Sequence, residues 1–251
     1  MATEGPIVVS TTTSVEKVVR EDGTKLINQF EMIKPLGKGA FGKVKLCKDT
    51  KDGKLYAIKI MDKMMLKKKR QGMSNLLENV KKEIAIMKKI SHPNCVNLYE
   101  VIDDPNSTKL YIRLEYVEGG QCMEAQNGVP PLPLEKAKSY FIDLISGLEY
   151  LHFNQILHRD LKPENLLVTK EGVLKLADFG VSQILDSDDG TDVVSKSAGT
   201  PAFMAPECCA PGAFHGKLAD IWAAGVSLYF MVHGKCPFIH NNIIKLYEII
   251  Q

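Results

Sequence analysis

The 251-residue chain is 45% hydrophobic and 25% charged, with 32 basic against 30 acidic residues and a formal net charge of +2. That size supports one large domain or two small lobes with a sizeable core, and so even a balance gives no bulk-charge case for binding nucleic acid or a membrane. Six cysteines (47, 95, 122, 208, 209 and 236) form no CxxC pair and no compact disulfide framework, no apolar run approaches the roughly 20 residues of a membrane span, and the opening MATEGPIVVS lacks a secretory leader's basic and apolar regions, so reduced thiols in the cytosol, with the nucleus open, are expected.

Residues 1 to about 29 are rich in Ser, Thr, Val and charge, with an unbroken hydroxyl run from Thr11 to Ser14 and no sustained periodicity, and read as a flexible tail. From Phe30 the pattern becomes short alternating segments, Phe30 to Leu36, Lys43 to Lys48 and Leu55 to Met61, with Asp52-Gly53 as a turn between the last two. This predicts an antiparallel sheet. Within it, Gly37, Gly39 and Gly42 form a GxGxxGxV loop whose backbone N–H groups can approach phosphates without side-chain obstruction. A dinucleotide fold would need a helix after the glycines, whereas Lys43-Val44-Lys45-Leu46 continues as a strand, so the pattern favours a flap over a nucleotide, with Leu36 and Val44 as an apolar roof on its base.

Tyr56-Ala57-Ile58-Lys59 places a lysine in an apolar strand, where an amine needs an anionic partner. Leu76, Val80, Ile84 and Met87 recur at helical spacing, and Glu83 borders that face and can point into the sheet; Glu78, one turn nearer the helix start, is the alternative partner. Between strand and helix the run Lys67 to Arg70 reads as a solvated connector or as a dock for an acidic partner.

Cys95 to Ile102 and Leu110 to Val117 flank a turn at Asp103 to Ser107, Glu118-Gly119-Gly120 breaks the second strand, and the lobe boundary is expected there. Ala137, Phe141, Leu144, Leu148 and Leu151 predict a long amphipathic helix. His158 to Asn165 follows and sets Asp160, Lys162 and Asn165 within eight residues. An ionised Asp160 can accept a hydrogen bond from a hydroxyl nucleophile, Lys162 can balance phosphate charge, and the Asn165 amide oxygen suits Mg2+. A hairpin at Leu166 to Leu176 returns the chain to Asp178-Phe179-Gly180, whose carboxylate is a second oxygen ligand, and Ala205-Pro206-Glu207 closes the series.

Six such elements in this order resemble the eukaryotic protein kinase family from about Phe30 to the last residue. The resemblance implies an α+β, bilobal kinase fold: an N-lobe (30–117) of antiparallel sheet plus one helix and a mainly helical C-lobe (118–251) without its last helices. It implies ATP and Mg2+ as cofactors, with Lys59 and Glu83 as the phosphate-positioning pair, Asp160 and Lys162 at the chemistry, and Asn165 and Asp178 on metal. Ala57 and Leu167 would enclose the base, Leu114 would be the gatekeeper, and Glu115 to Val117 the adenine-binding hinge. Met87, Leu98, His158 and Phe179 would stack as a spine, Asp220 would anchor the catalytic loop from a core helix (Ala219 to Val232), and Lys162 with Gly199-Thr200-Pro201 resembles serine/threonine kinases.

A narrower resemblance in Gly199 to Glu207, Gly234 to Ile239 and Val101 to Pro105 is to the calcium/calmodulin-dependent kinase kinases, which implies a protein substrate that is itself a kinase. That family's Arg/Pro-rich insert is replaced here by a Lys- and Met-rich one, and its calmodulin-binding segment lies beyond the catalytic domain. The alternative reading is a nucleotide-binding pseudokinase or scaffold. Two departures carry physical expectations. Lys196 aligns with the phosphorylated position that holds the catalytic arginine and is expected to repel Arg159, leaving Ser195, Ser197 or Asp192 as substitutes. Glu207 is expected to lack its late-helix arginine, since the four arginines (20, 70, 113 and 159) all precede it, at a cost on the order of 3 to 5 kcal/mol for a buried carboxylate.

Overall fold

The computed structural model describes residues 8–39, 42–68, 70–71, 74–185 and 191–251, which divide into two compact units. The first holds the described residues up to Ser91 together with Asn97–Tyr116; the second holds His92–Val96 and Val117–Gln251. The division falls between Tyr116 and Val117, and residues 92–96 group with the second unit. That segment joins the second unit because Val96 N–H donates to the Leu176 carbonyl and Leu176 N–H to that of Asn94, while the Asn94 amide donates to the Leu174 carbonyl at 3.0 Å.

The first unit is built on an eight-stranded sheet. Its strands are β1 (Ser10–Thr12), β2 (Lys17–Val19), β3 (Lys25–Ile27), β4 (Phe30–Gly39), β5 (Gly42–Asp49) and β6 (Leu55–Asp62). Helix α1 (Lys63–Lys68), the two-residue pair β7 (Arg70–Gln71) and β8 (Ser74–Asn75), and helix α2 (Leu76–Met87) follow, then β9 (Leu98–Ile102) and β10 (Lys109–Glu115) complete the sheet. Its order is β1-β9-β10-β6-β5-β4-β3-β2, antiparallel throughout except for the parallel edge pair β1 and β9. The described part of the expected tail therefore differs from that reading, since residues 10–27 add three strands. Each is too short to show a period of its own and is held by tertiary pairing at a sheet edge. Asn28, in the left-handed region at φ +52°, turns the chain into β4, and its side chain accepts from Glu16 N–H and donates to the Ser14 carbonyl.

Strand register sorts side chains between the two faces of the sheet. Phe30, Cys47, Tyr56, Ile58, Ile102 and Tyr111 bury one face. Arg113 lies over the rings of Phe30, Tyr56 and Tyr99, 3.5 Å from Asp49 and 3.4 Å from Glu100. Cross-strand pairs Val44↔Lys59, Ala57↔Leu114 and Ile112↔Lys59 put Val44, Ala57, Lys59 and Leu114 together on the other face, because opposed residues share a side.

The second unit contains α3 (Leu134–Phe153), the short strands β11 (Ile156–Leu157), β12 (Leu166–Val168), β13 (Leu174–Leu176), β14 (Gln183–Ile184), β15 (Val193–Val194) and β16 (Phe214–His215), and the helices α4 (Gly216–His233) and α5 (Ile243–Ile250). The strands pair as β11–β14, β12–β13 and β15–β16. α4 is apolar on nearly every side, yet it buries Asp220, Ala223, Ala224, Ser227 and Phe230 while Leu218 and Ile221 stay exposed, so only one face of the expected core helix is covered. Gly234 ends it in the left-handed conformation (φ +66°), where a β-carbon would strike the Val129 carbonyl. Among the described residues no helix is long and apolar enough to cross a membrane.

Candidate active site

In the first unit, Lys59 Nζ lies 2.8 Å from Glu83 Oε1, with Glu83 buried. Of the two candidate partners the helix presents Glu83. Glu78 is at the cap of α2, where its N–H donates to the Asn75 side chain and its carboxylate takes the Asn75 amide. An amine and a carboxylate removed from water need one another, so the pair fixes α2 to β6.

The glycine loop is a hairpin with Gly37 opposite Val44 and Gly39 opposite Gly42; its tip, Ala40 and Phe41, lies outside the described residues. The glycines differ in what requires them. A β-carbon on Gly42 would collide with the Ile60 carbonyl of β6, so packing demands that glycine, whereas one on Gly37 would meet nothing within 4 Å, leaving room for a ligand's phosphates. Leu36 is exposed, Val44 half-buried and Ala57 buried. Leu114 and Glu115 end β10, where Glu115 N–H is spent on the Asn97 carbonyl and its carboxylate accepts from the Asn97 amides at 3.0 and 3.2 Å.

In the second unit the catalytic loop hangs from α4. Asp220, fully buried, accepts His158 N–H at 2.9 Å through Oδ2 and Arg159 N–H at 2.8 Å through Oδ1, and His152 Nε2 is 2.9 Å from Oδ2. Those bonds hold Arg159 in the left-handed region (φ +69°), immediately before Asp160. The His158 ring, kept neutral by burial, packs on Phe179 with centroids 5.3 Å apart. Met87 and Leu98, the other expected spine members, are buried in the first unit, and Val117 and the half-buried Leu167 belong to the second.

Asp160 is the focus of a dense polar cluster. Its Oδ1 accepts from Thr200 Oγ1 at 2.7 Å, and its Oδ2 lies 2.9 Å from Lys162 Nζ and 3.0 Å from Asn165 Nδ2. Lys162 Nζ also donates to Thr200 Oγ1 at 2.7 Å. Burial raises the Asp160 pKa, but the hydrogen bonds from Lys162 and Thr200 outweigh it and leave the carboxyl below its ordinary value. It is therefore an anion at neutral pH with its lone pairs already oriented. Thr200 was legible only as part of a class-marking string; its contact with Asp160 spans 40 residues and depends on Gly199. That glycine sits at φ +103°, and a β-carbon there would strike the Arg159 carbonyl.

The donor set fits a hard cation. The Asn165 amide nitrogen is spent on Asp160, so its oxygen is the end left for a metal. Asp178 is exposed in the left-handed region (φ +61°) and accepts from Gly180 N–H at 3.3 Å. Among the described residues no three His, Cys, Asp and Glu side chains are grouped to hold a metal by themselves. Two oxygen ligands suit Mg2+, which takes most of its shell from water and phosphate.

Both expected departures are corrected. Arg159 meets the Lys196 carbonyl oxygen, not its ammonium, and Arg159 also donates to Gln183 Oε1 at 2.9 Å. Two suggested substitutes are committed elsewhere: Asp192 pairs with His215 and takes Lys217 N–H, and Ser197 donates to the Cys208 carbonyl. Glu207 is exposed, so the penalty for a buried lone carboxylate does not arise.

An oriented carboxylate, two lysines and two oxygen donors for a hard cation are the groups that phosphoryl transfer uses, and comparison with known proteins agrees. Residues 30–251 match the protein kinase domain family. The chain is 48% identical over 245 residues to a probable serine/threonine-protein kinase of Dictyostelium discoideum, covering 95% of this chain and 34% of that protein. It is 44% identical to the serine/threonine-protein kinase ssp1 of Schizosaccharomyces pombe (92% and 37%), and 43% identical to a calcium/calmodulin-dependent protein kinase kinase of Caenorhabditis elegans (100% and 50%). The chain belongs to the protein kinase family, in its serine/threonine branch, and spans a third to a half of the length of these relatives.

Proposed function

We propose that this domain transfers the γ-phosphoryl group of ATP to serine and threonine hydroxyls of proteins, and that its substrates are activation-loop threonines of other protein kinases. The observation that carries the reading is the oriented Asp160 carboxylate, bonded to Thr200 and Lys162. Asp160 accepts a hydrogen bond from the incoming hydroxyl and directs its lone pair at phosphorus, while Lys162 and Lys59 balance phosphate charge. Gly37, Gly39 and Gly42 bring backbone N–H groups to the phosphates, and Leu36, Val44, Ala57, Leu114 and Leu167 supply apolar contacts for the base, with Glu115 and Val117 offering backbone groups to its edge. Asn165 and Asp178 would hold Mg2+, which when bound neutralises charge on the phosphate oxygens.

The finer substrate reading rests on the strings Gly199 to Glu207, Gly234 to Ile239 and Val101 to Pro105, and on the printed name of the Caenorhabditis elegans relative. Calcium–calmodulin responsiveness is proposed for the longer protein on the same ground. A cytosolic or nuclear location is proposed from six cysteines free of disulfides, and a fluorescent fusion tests it. Transfer from Mg-ATP to activation-loop threonine peptides, beside scrambled and tyrosine-substituted controls and with and without calcium–calmodulin, tests the function. Threonine-selective transfer that Asp160→Asn abolishes is the expected result; nucleotide binding without transfer would leave a scaffold instead.

A further inference from the structure

The N-terminal strand β1 is a three-residue edge element tied down by side chains of opposite charge. Thr12 Oγ1 donates to Glu100 Oε1 at 2.6 Å, and Glu100 is buried, with its other oxygen 3.4 Å from Arg113 Nε. The next hydroxyl faces the other way: Lys88 Nζ, on the residue that caps α2, donates to Thr11 Oγ1 at 3.1 Å. Beyond the strand, Asp103 N–H donates to the Thr12 carbonyl at 2.9 Å and Val15 N–H to Asp104 Oδ2 at 3.1 Å, while the Asp103 carboxylate is paired with Lys63 at 2.8 Å, so the carboxylate that faces the Thr12 hydroxyl is that of Glu100. Arg113, beneath three aromatic rings, divides its charge between Asp49 at 3.5 Å and Glu100 at 3.4 Å, and so balances only part of the Glu100 charge.

We propose that Thr12 is a phosphorylation site that acts as a latch: a phosphate on its oxygen releases β1 from β9, whereas a phosphate on neighbouring Thr11 holds β1 in place. In the transfer the Thr12 hydroxyl oxygen bonds to the γ-phosphorus of ATP, the bond from that phosphorus to the β–γ bridging oxygen breaks, ADP leaves and the hydroxyl proton passes to solvent. The new group replaces a donor with roughly two negative charges and acceptors only, set against the buried carboxylate that had accepted the bond. Repulsion and the lost hydrogen bond act together, and a three-residue edge strand belongs to the low-stability end of local opening, which also gives an enzyme its access. On Thr11 the same group meets the Lys88 ammonium and gains a charge-assisted contact. Release of β1 uncovers the β9 edge and frees the Lys88 end of α2, the helix that carries Glu83.

Amide hydrogen exchange on the full chain, with phosphothreonine incorporated at position 12 or at position 11, tests the latch. Phosphate at Thr12 should speed exchange of Asp103 and of residues 98–102 about tenfold or more, while phosphate at Thr11 leaves it unchanged or slower. Thr12→Val, which loses the bond without gaining charge, should fall between phosphorylated and unmodified protein. In Glu100→Gln the gap between phosphorylated and unmodified Thr12 should narrow. Unchanged exchange in residues 117–251 reports that the rest of the chain stays folded in each form. Equal exchange for the Thr12-phosphorylated and unmodified proteins, or equal acceleration from either threonine, overturns the proposal.

Discussion

Thr200 Oγ1 donates to Asp160 Oδ1 at 2.7 Å and, through its lone pairs, accepts from Lys162 Nζ at the same distance, so one hydroxyl orients both the base and the cation of the catalytic loop. Thr200→Val keeps the shape of the side chain and removes both bonds. A hydrogen bond to a charged group contributes about 1.5 to 3 kcal/mol. Turnover in a peptide-transfer assay should therefore fall roughly 10- to 100-fold. The KM for ATP should hardly move, and Thr200→Ser should restore most of the rate.

The same contacts set a pH response. Burial of Asp160 pushes its pKa up, and the hydrogen bonds from Lys162 and Thr200 pull it down by more, so its folded value lies below its unfolded value. A depressed carboxyl contributes stability that is present above the unfolded value and is lost as pH falls through the folded one. In Thr200→Val one of the two lowering bonds is gone, so the folded value rises towards the ordinary carboxylate range. Acid unfolding and the acid limb of the pH–rate profile should both begin at higher pH in the variant, with no change on the alkaline side. Coincident acid limbs for the two proteins would argue against this placement of charge.

Asp220 is expected to be the most sensitive position of the catalytic loop's support. It is buried and accepts the His158 and Arg159 N–H groups with separate oxygens, beside His152 Nε2. Asp220→Asn turns an NH2 group towards donors, leaving at least one of them unpaired in a dry interior. Melting measurements should show a loss on the order of 3 to 5 kcal/mol, more than for a typical surface substitution. Activity lost without any loss of stability would mean that the loop is held by other contacts.

Legibility from sequence followed the range of the interactions. Helix α2 was readable because the spacing of Leu76, Val80, Ile84 and Met87 is local, and the strands that carry Val44, Ala57 and Lys59 were readable from alternation. Glu83 was preferred to Glu78 from its place beside the apolar face, and the docked helix bears this out, with Glu83 buried against Lys59 and Glu78 exposed at the cap. What stayed hidden depended on distant backbone. β1 pairs with β9 across some 90 residues, Thr200 reaches Asp160 across 40, and Arg159 meets the Lys196 carbonyl, which no alignment of side-chain charges could anticipate. Glu207 was expected to be buried, and it is exposed.

The pairing of Lys59 with Glu83 should be measurable as a coupling energy. Lys59 Nζ and Glu83 Oε1 are 2.8 Å apart, with the carboxylate almost wholly removed from solvent and the ammonium mostly so. Removing either partner leaves the other charge poorly solvated, so Lys59→Met and Glu83→Gln should each destabilise the protein, and the double variant should lose less than the two losses added together. For residues in direct contact such a cycle returns about 0.5 to 3 kcal/mol. Salt sharpens the test, because a buried pair is screened far less than an exposed one. The coupling should survive at 0.5 M salt, roughly a Debye length of 4 Å. A coupling that vanishes on adding salt, or stability losses that simply add, would show that α2 is held to β6 by packing and not by this pair.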